Sequence, residues 1–300
     1  ALAATAVISG LPAGEGELNA GLQLKMVGVR SLEIDGDIDL QKLKMRGGFL
    51  GKDTPSFDTI RLHVDQGKWD SSGWQVEQLK IAADTVHFQG SGRRLPGETR
   101  IAGNGALNLP VLFDQFPRLL HLQEEAFIES GTLDFDLDLA LTGEGQQLDL
   151  AARVDNLGGL SHGHRFAWAA PASVLLKADR GKGNLQVKAL RVDAPFLHAD
   201  GRGDPGFFVL DASGDLEEGF AEARRLFQLK WAGTGEMEMT VRSGSRSIDD
   251  ERVTMDADLN ILDFSLNRAG RPYVPPHDLS LVGSAAAPLS QTPGGRRHCL

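Results

Sequence analysis

A single cysteine, Cys299, and a single tyrosine, Tyr273, stand among the 300 residues. One thiol excludes an intrachain disulfide and a cysteine zinc cluster, and it leaves the redox compartment open, because many periplasmic proteins carry no disulfide. Aromatic residues make up 6% of the chain, which weakens an outer-membrane barrel, since lipid-facing barrels carry aromatic girdles at both interfaces. No run approaches the roughly 18 to 20 apolar residues that a membrane-spanning helix requires. Basic residues are outnumbered, 31 against 41 acidic, and the net charge of -10 argues against general affinity for nucleic acid or an anionic membrane surface. Residues 1 to 14 are apolar but have neither an initiator methionine nor the basic start of a signal peptide. The chain is therefore expected to be a piece of a longer protein, with any anchor or export signal upstream.

What the sequence has in quantity is alternation. From Gly131 to Leu141, the residues Leu133, Phe135, Leu137, Leu139 and Leu141 alternate with Thr132, Asp134, Asp136, Asp138 and Ala140. A period of two belongs to an extended strand with one apolar and one acidic face. Such a strand needs neighbours on both edges and something apolar against its inner face. Shorter runs of the same kind follow one another from Leu22 onward, as in Leu32, Ile34, Ile38 and Leu40, or Ile60, Leu62 and Val64. Glycines divide them at turns such as Gly47-Gly48, so the fold class is mainly β, an antiparallel meander.

Two segments depart from this pattern. Leu109, Leu112, Phe113, Phe116, Leu119 and Leu120 recur at helical spacing, with Pro110 in a first turn and Pro117 able to shorten the helix. Leu216, Phe220, Ala223 and Phe227 do the same behind Asp215, an N-cap with Glu218 three residues on. Each helix leads into a strand that opens on glycine, and the correspondence extends further. Ser130 to Leu139 lines up with Ala232 to Val241 at an offset of 232 - 130 = 102. Val76, Leu79, His87, Gly90 and Gly92 recur as Val187, Leu190, His198, Gly201 and Gly203, each 111 further on (187 - 76). The expected organisation is a remnant over 1–19, a unit over 20–130 with a helix near 109–121, and a second over 131–232 with a helix near 215–228. A truncated third unit then covers 233–283, and 284–300 is an unfolded tail without alternation.

Several constellations invite chemistry and fail its requirements. The triplets Asp35, Asp37, Asp39 and Asp134, Asp136, Asp138 lack the glycine and glutamate spacing of a calcium loop, so they are read as a solvated acidic face. Gly201 to Gly206 has the letters of a dinucleotide fingerprint but runs into Phe207 to Leu210, not into a helix, and is read as a turn. His162 and His164 have no third ligand nearby, and His87 and His198 occupy equivalent repeat positions. No nucleophile elbow, phosphate loop or His-Glu-x-x-His sequence occurs. The chain is expected to be no enzyme and to use no cofactor or metal. What remains is the apolar face, either an ordinary sandwich or barrel core or an open groove holding something greasy.

The Asp/Leu alternation, the glycine-opened repeats, the Leu-Pro-x-Leu-Phe helix at Leu109 to Phe113 and the run Leu148 to Leu157 together resemble the AsmA-like, TamB-related proteins of diderm bacteria. The resemblance covers about residues 20 to 283. It implies an inner-membrane anchor in the full protein and a periplasmic body of repeated β units forming an elongated, curved sheet or groove. It further implies a part in outer-membrane biogenesis, by phospholipid transport between the two membranes and with an outer-membrane protein as a partner. On this view Leu133, Phe135, Leu137, Leu139, Leu148, Leu150, Met237, Met239 and Val241 line the groove. The alternative is a structural or adhesive β-repeat protein with a closed, dry core and no lipid.

Overall fold

The computed structural model describes residues 12–27, 31–181, 185–204, 207–245 and 252–288. The first strands are β1 (Ala13–Val27), β2 (Ser31–Arg46), β3 (Ser56–Asp70), β4 (Gly73–Ala83), β5 (Val86–Leu95) and β6 (Glu98–Asn108). Helix α1 (Leu109–Gln115) precedes β7 (Ala126–Thr142), β8 (Gln146–Ser161) and the short β9 (His164–Ala167). Then come β10 (Ala172–Arg180), β11 (Leu185–Ala194), β12 (Leu197–Asp204) and β13 (Phe207–Asp215). Helix α2 (Leu216–Leu226) leads to β14 (Trp231–Ser245), β15 (Arg252–Arg268) and β16 (Arg271–Pro288). All sixteen strands form one sheet, in chain order and antiparallel throughout, with β9 paired off the main path to β8. The sheet is not closed: β1 and β16 are its two edges. Fourteen steps between neighbours on that path give a contour of about 67 Å at ~4.8 Å per step.

Register keeps like beside like across the whole sheet. One row runs through Ala20, Ile38, Leu62, Ile81, Phe88 and Gly105 on β1 to β6. It continues through Phe135, Ala152, Val174, Val192, Ala199 and Ala212, bypassing β9, and ends on Met239, Leu259 and Leu281. A second apolar row passes Leu22, Leu137, Leu150 and Val241, and a third passes Leu24, Leu139 and Leu148. A fourth contains Leu133 and Met237. The intervening residues face the other way and are polar, as in Asp39, Arg61, Asp134, Arg153 and Glu238.

No second sheet covers the apolar rows. The chain exposes 20166 Å², whereas a compact monomer of 32.3 kDa exposes about 12,300 Å². The one clustered core is marginal: Leu109, Leu157, Phe166 and Leu226 are buried together, with Leu112, Phe113, Ile128, Leu133, Val154 and Trp168 packed around them. Because successive links in a meander fall on opposite margins, both helices, β9 and the 3-10 turn Gly48–Leu50 share one margin. The links fully described at the other margin, 71–72, 96–97 and 143–145, are tight hairpins.

The sequence-based expectations are corrected at several points. Helix α1 stops at Gln115 rather than near 121, because Pro117 has no N–H to donate and biases Phe116 away from helical geometry. Leu119 and Leu120 lie in the turn that follows. A helix in every unit is not supported: the β2–β3 link at the same margin holds only the 3-10 turn, and none of the described residues after α2 is helical. Residues 284–288, expected in an unfolded tail, complete β16 opposite Arg252 to Asp256, since backbone pairing does not require alternating side chains. Residues 289–300 lie outside the described residues. Likewise residues 13–19, expected to lie in a remnant outside the units, belong to β1.

The repeat at offset 111 holds pair for pair. Val76 faces Gly92 and Leu79 faces Gly90 with a bulge between, as Val187 faces Gly203 and Leu190 faces Gly201. The offset of 102 is wrong by one rung. Gly131 and Gly235 both have φ near +135°, and each faces a left-handed residue, Asn156 or Asp263. Ser130 Oγ donates to the Asn156 carbonyl at 2.8 Å and Thr234 Oγ1 to the Asp263 carbonyl at 3.2 Å. The structural offset is therefore 235 - 131 = 104, a slip of two that leaves every side chain on its own face and so escapes the alternation. A third bulge lies between the Ile34–Gly67 and Gly36–Val64 pairs, with Gln66 left-handed and its N–H donating to Asp35 Oδ1 at 2.6 Å. Such bulges bend and twist the strands that carry them.

Gly36 has φ +139°, and a Cβ there would sit 2.1 Å from the Gly21 carbonyl oxygen, whereas one on Gly21 meets nothing. Gly36→Ala is expected to destabilise the fold by about 2 kcal/mol or more, and Gly21→Ala to change it by less than ~1 kcal/mol. Urea unfolding of the two variants measures the difference.

Candidate functional site: the apolar trough

All nine residues expected to line a groove lie on the one apolar face, half-buried. Leu137 stands opposite Leu150 and Leu139 opposite Leu148, while Leu133 and Phe135 face Val154 and Ala152. Met237, Met239 and Val241 lie six strands away from β7 but in the rows of Leu133, Phe135 and Leu137 respectively. The register thus joins the two groups into one surface. Rings and glycines interlock along it: Phe88 and Phe135 are stacked at 6.3 Å between centroids, on either side of β6. A Cβ on Gly103 would fall 2.6 Å from Phe88 and one on Gly105 2.7 Å from Phe135, so glycine is what lets the rings lie down on the sheet.

The helix margin turns toward this face. Asp215 caps α2, its Oδ1 accepting from the Glu218 N–H at 3.0 Å. The helix then runs back over the β11–β12 turn, where Gly219 packs on Phe196, and over Trp168, whose Nε1 donates to Glu222 Oε2 at 2.9 Å. Leu226 ends it in the cluster with Leu157 of β8. Four residues, and so five Cα-to-Cα steps, tightened by a Leu229 N–H to Phe227 carbonyl bond of 2.7 Å, return the chain to β14. They reach at most about 17 Å. Along the sheet β8 and β14 are five steps apart, about 24 Å, so the return and one side-chain contact leave a flat sheet no slack. The margin curls toward α2. Leu133 and Val154 of the apolar rows pack in the same cluster, which places the helices on the apolar side. A bridge between Leu122 and Phe227 and the Gln123 N–H to Leu226 carbonyl bond of 3.0 Å hold the curl.

The polar face is laced with ion pairs. Asp37 meets His63 at 2.8 Å, Asp39 meets Arg61 at 3.7 Å, and Asp138 meets Arg100 at 2.8 Å. Hydrogen bonding to Asp138 raises the Arg100 guanidinium above its ordinary value, and the Arg153 bond of 2.6 Å holds the Asp155 carboxyl below the usual carboxylate range. Of the six triplet aspartates, Asp37, Asp39 and Asp138 thus stand beside a basic side chain. His162 pairs with Glu125 at 2.8 Å, while His87 and His198 share a row on this face. In the candidate fingerprint, Pro205 and Gly206 lie outside the described residues, and Phe207 opens β13 rather than a helix.

A hollow of about 670 Å³ sits beside α1, lined by Phe113, Pro117, His121 and Phe127 among others. The rows, not that hollow, are the extended apolar feature. No helix among the described residues is long and apolar enough to cross a membrane. Comparison with family models, with curated proteins and with solved structures finds no match to this chain.

If the trough is open, its leucines matter less to stability than those of the marginal cluster. Leu157, 4% exposed, is expected to cost about 2–5 kcal/mol on change to alanine, and half-buried Leu137 less than half of that. Equal urea midpoints for the two variants would mean that Leu137 is covered.

Proposed function

We propose that the chain is a non-enzymatic conduit for acyl-chain lipid, the periplasmic segment of an AsmA-like protein that carries phospholipid between membranes in outer-membrane biogenesis. One observation carries the proposal: rows of apolar side chains continue through fifteen hydrogen-bonded strands on one face without a charged residue in the Leu137 row. Leaving that face in water is unfavourable by about 25 cal/mol per Å², and an acyl chain laid along it removes the penalty while headgroups stay hydrated. Leucine, valine, methionine and phenylalanine offer no directional partner, so no position holds a chain much more tightly than the next. Movement along the trough follows from that evenness, and the paired charges of the polar face keep the body in solution.

Under this reading an anchor outside the chain holds it at the inner membrane, and an outer-membrane protein receives the lipid. The lining is Leu133, Phe135, Leu137, Leu139, Leu148, Leu150, Met237, Met239 and Val241, and no cofactor takes part. The protein purified from a diderm bacterium is expected to carry phospholipid, detectable by native mass spectrometry, and Leu137→Asp to lower its occupancy several-fold while leaving the sheet folded by circular dichroism. A folded protein free of lipid would instead favour the structural or adhesive reading.

A further inference from the structure

The apolar rows end, at the hairpin margin, in a row of different chemistry. It runs through Trp74, Arg94, Thr99, Leu141, Gln146 and Arg180, each opposite the next. Arg94 and Arg180 therefore face the same side as the leucines. Both are exposed, and neither makes an ion pair among the described residues. Three cations on the polar side of the same margin are paired: Lys68 with Asp70, Arg93 with Glu98 and Lys188 with Asp179. In a chain of net charge -10, two unpaired arginines stand at the lip of the trough. Beside them the Trp74 ring lies over Gly92, and Trp69, opposite Trp74, is 62% exposed, an arrangement suited to an apolar–aqueous boundary.

We infer that this lip binds the phosphate of phospholipid headgroups, so that lipids lie in the trough with every headgroup at the hairpin margin. The inference rests on the proposed conduit and adds an orientation to it. From β6 to β14 the opposite margin carries α1, α2 and their cluster, and no helix among the described residues lies on the hairpin margin, which makes the hairpin side the exit to water there. From the third apolar row to the fourth, three intervals of two residues give a band ~20 Å deep, enough for the ~15 Å hydrocarbon layer of one leaflet. Arg94 and Arg180 are four strands apart, about 19 Å, and so serve separate lipids rather than one. An arginine fork matches phosphate oxygens bidentately, which Thr99 and Gln146 support as neutral donors.

The test uses the full chain loaded with the neutral fluorescent probe N-phenyl-1-naphthylamine, displaced by diheptanoyl-phosphatidylglycerol or by diheptanoylglycerol, which lacks the phosphate. Arg94→Gln with Arg180→Gln is expected to weaken displacement by the phospholipid at least roughly tenfold and to leave displacement by diheptanoylglycerol unchanged. The Arg94→Lys, Arg180→Lys variant should recover most of the loss. Equal weakening of both ligands, or of neither, overturns the lip assignment while leaving the trough in place. If neither lipid displaces the probe from the unaltered chain, the conduit reading fails and the lip with it. Inorganic phosphate binding as tightly as the phospholipid, and lost in the glutamine variant, would make the lip a site for free phosphate and overturn the lipid assignment.

Discussion

The structure depends on register. Each strand pair aligns apolar with apolar residues, and a slip of one residue at any of the fourteen joints would turn a row of leucines to solvent and a row of aspartates inward. Hydrogen bonds between backbones are indifferent to that choice; the side chains make it. Where a strand must bend, an inserted residue absorbs the extra length, and the Gly36, Gly131 and Gly235 bulges keep parity on both sides of the bend. The same alternation is thereby carried from β1 to β16.

A sheet with one greasy face normally buries it on a second layer. Here α1 and α2 cover only one margin, and they do so by curling the sheet rather than by roofing it. The two margins consequently differ in kind. One is pinned by the Leu109, Leu157, Phe166 and Leu226 cluster and by bonds that join the link before β7 to the link before β14. The other is a row of hairpins, with an aromatic and cationic lip above the leucines. An apolar bed, a closed wall and a polar lip together give a directional cross-section, which a uniformly apolar slot would not have.

Much of this was legible in the sequence because alternation is a local signal. The run from Leu133 to Leu141, the capping pair Asp215 and Glu218, and the hairpin repeat at offset 111 each needed only neighbours or a copy to be read. What escaped depends on where the chain travels. Arg94 and Arg180 are 180 - 94 = 86 residues apart, and nothing local distinguishes them from arginines of the other face until three strands are placed between them. The curl was hidden for the same reason, since it rests on Leu122 meeting Phe227. The offset of 102 in place of 104 was an error that period-two reasoning cannot detect, and only the matched bulges at Gly131 and Gly235 expose it. Residues 284–288 show the converse limit: Ala285 to Ala287 carry no alternation, yet their backbone completes β16.

The central claim is a single continuous lipid path on one face. It is tested most directly by placing a photo-crosslinking side chain at Ile38, Phe135 and Met239, which share one row on β2, β7 and β14, and at Asp39, Asp134 and Glu238 on the opposite face. After irradiation with vesicles of phosphatidylethanolamine and phosphatidylglycerol, lipid adducts are predicted at all three positions of the row and at none of the polar three. Adducts absent from the row, or equally frequent on both faces, would contradict an open trough and return the apolar face to the role of an ordinary core.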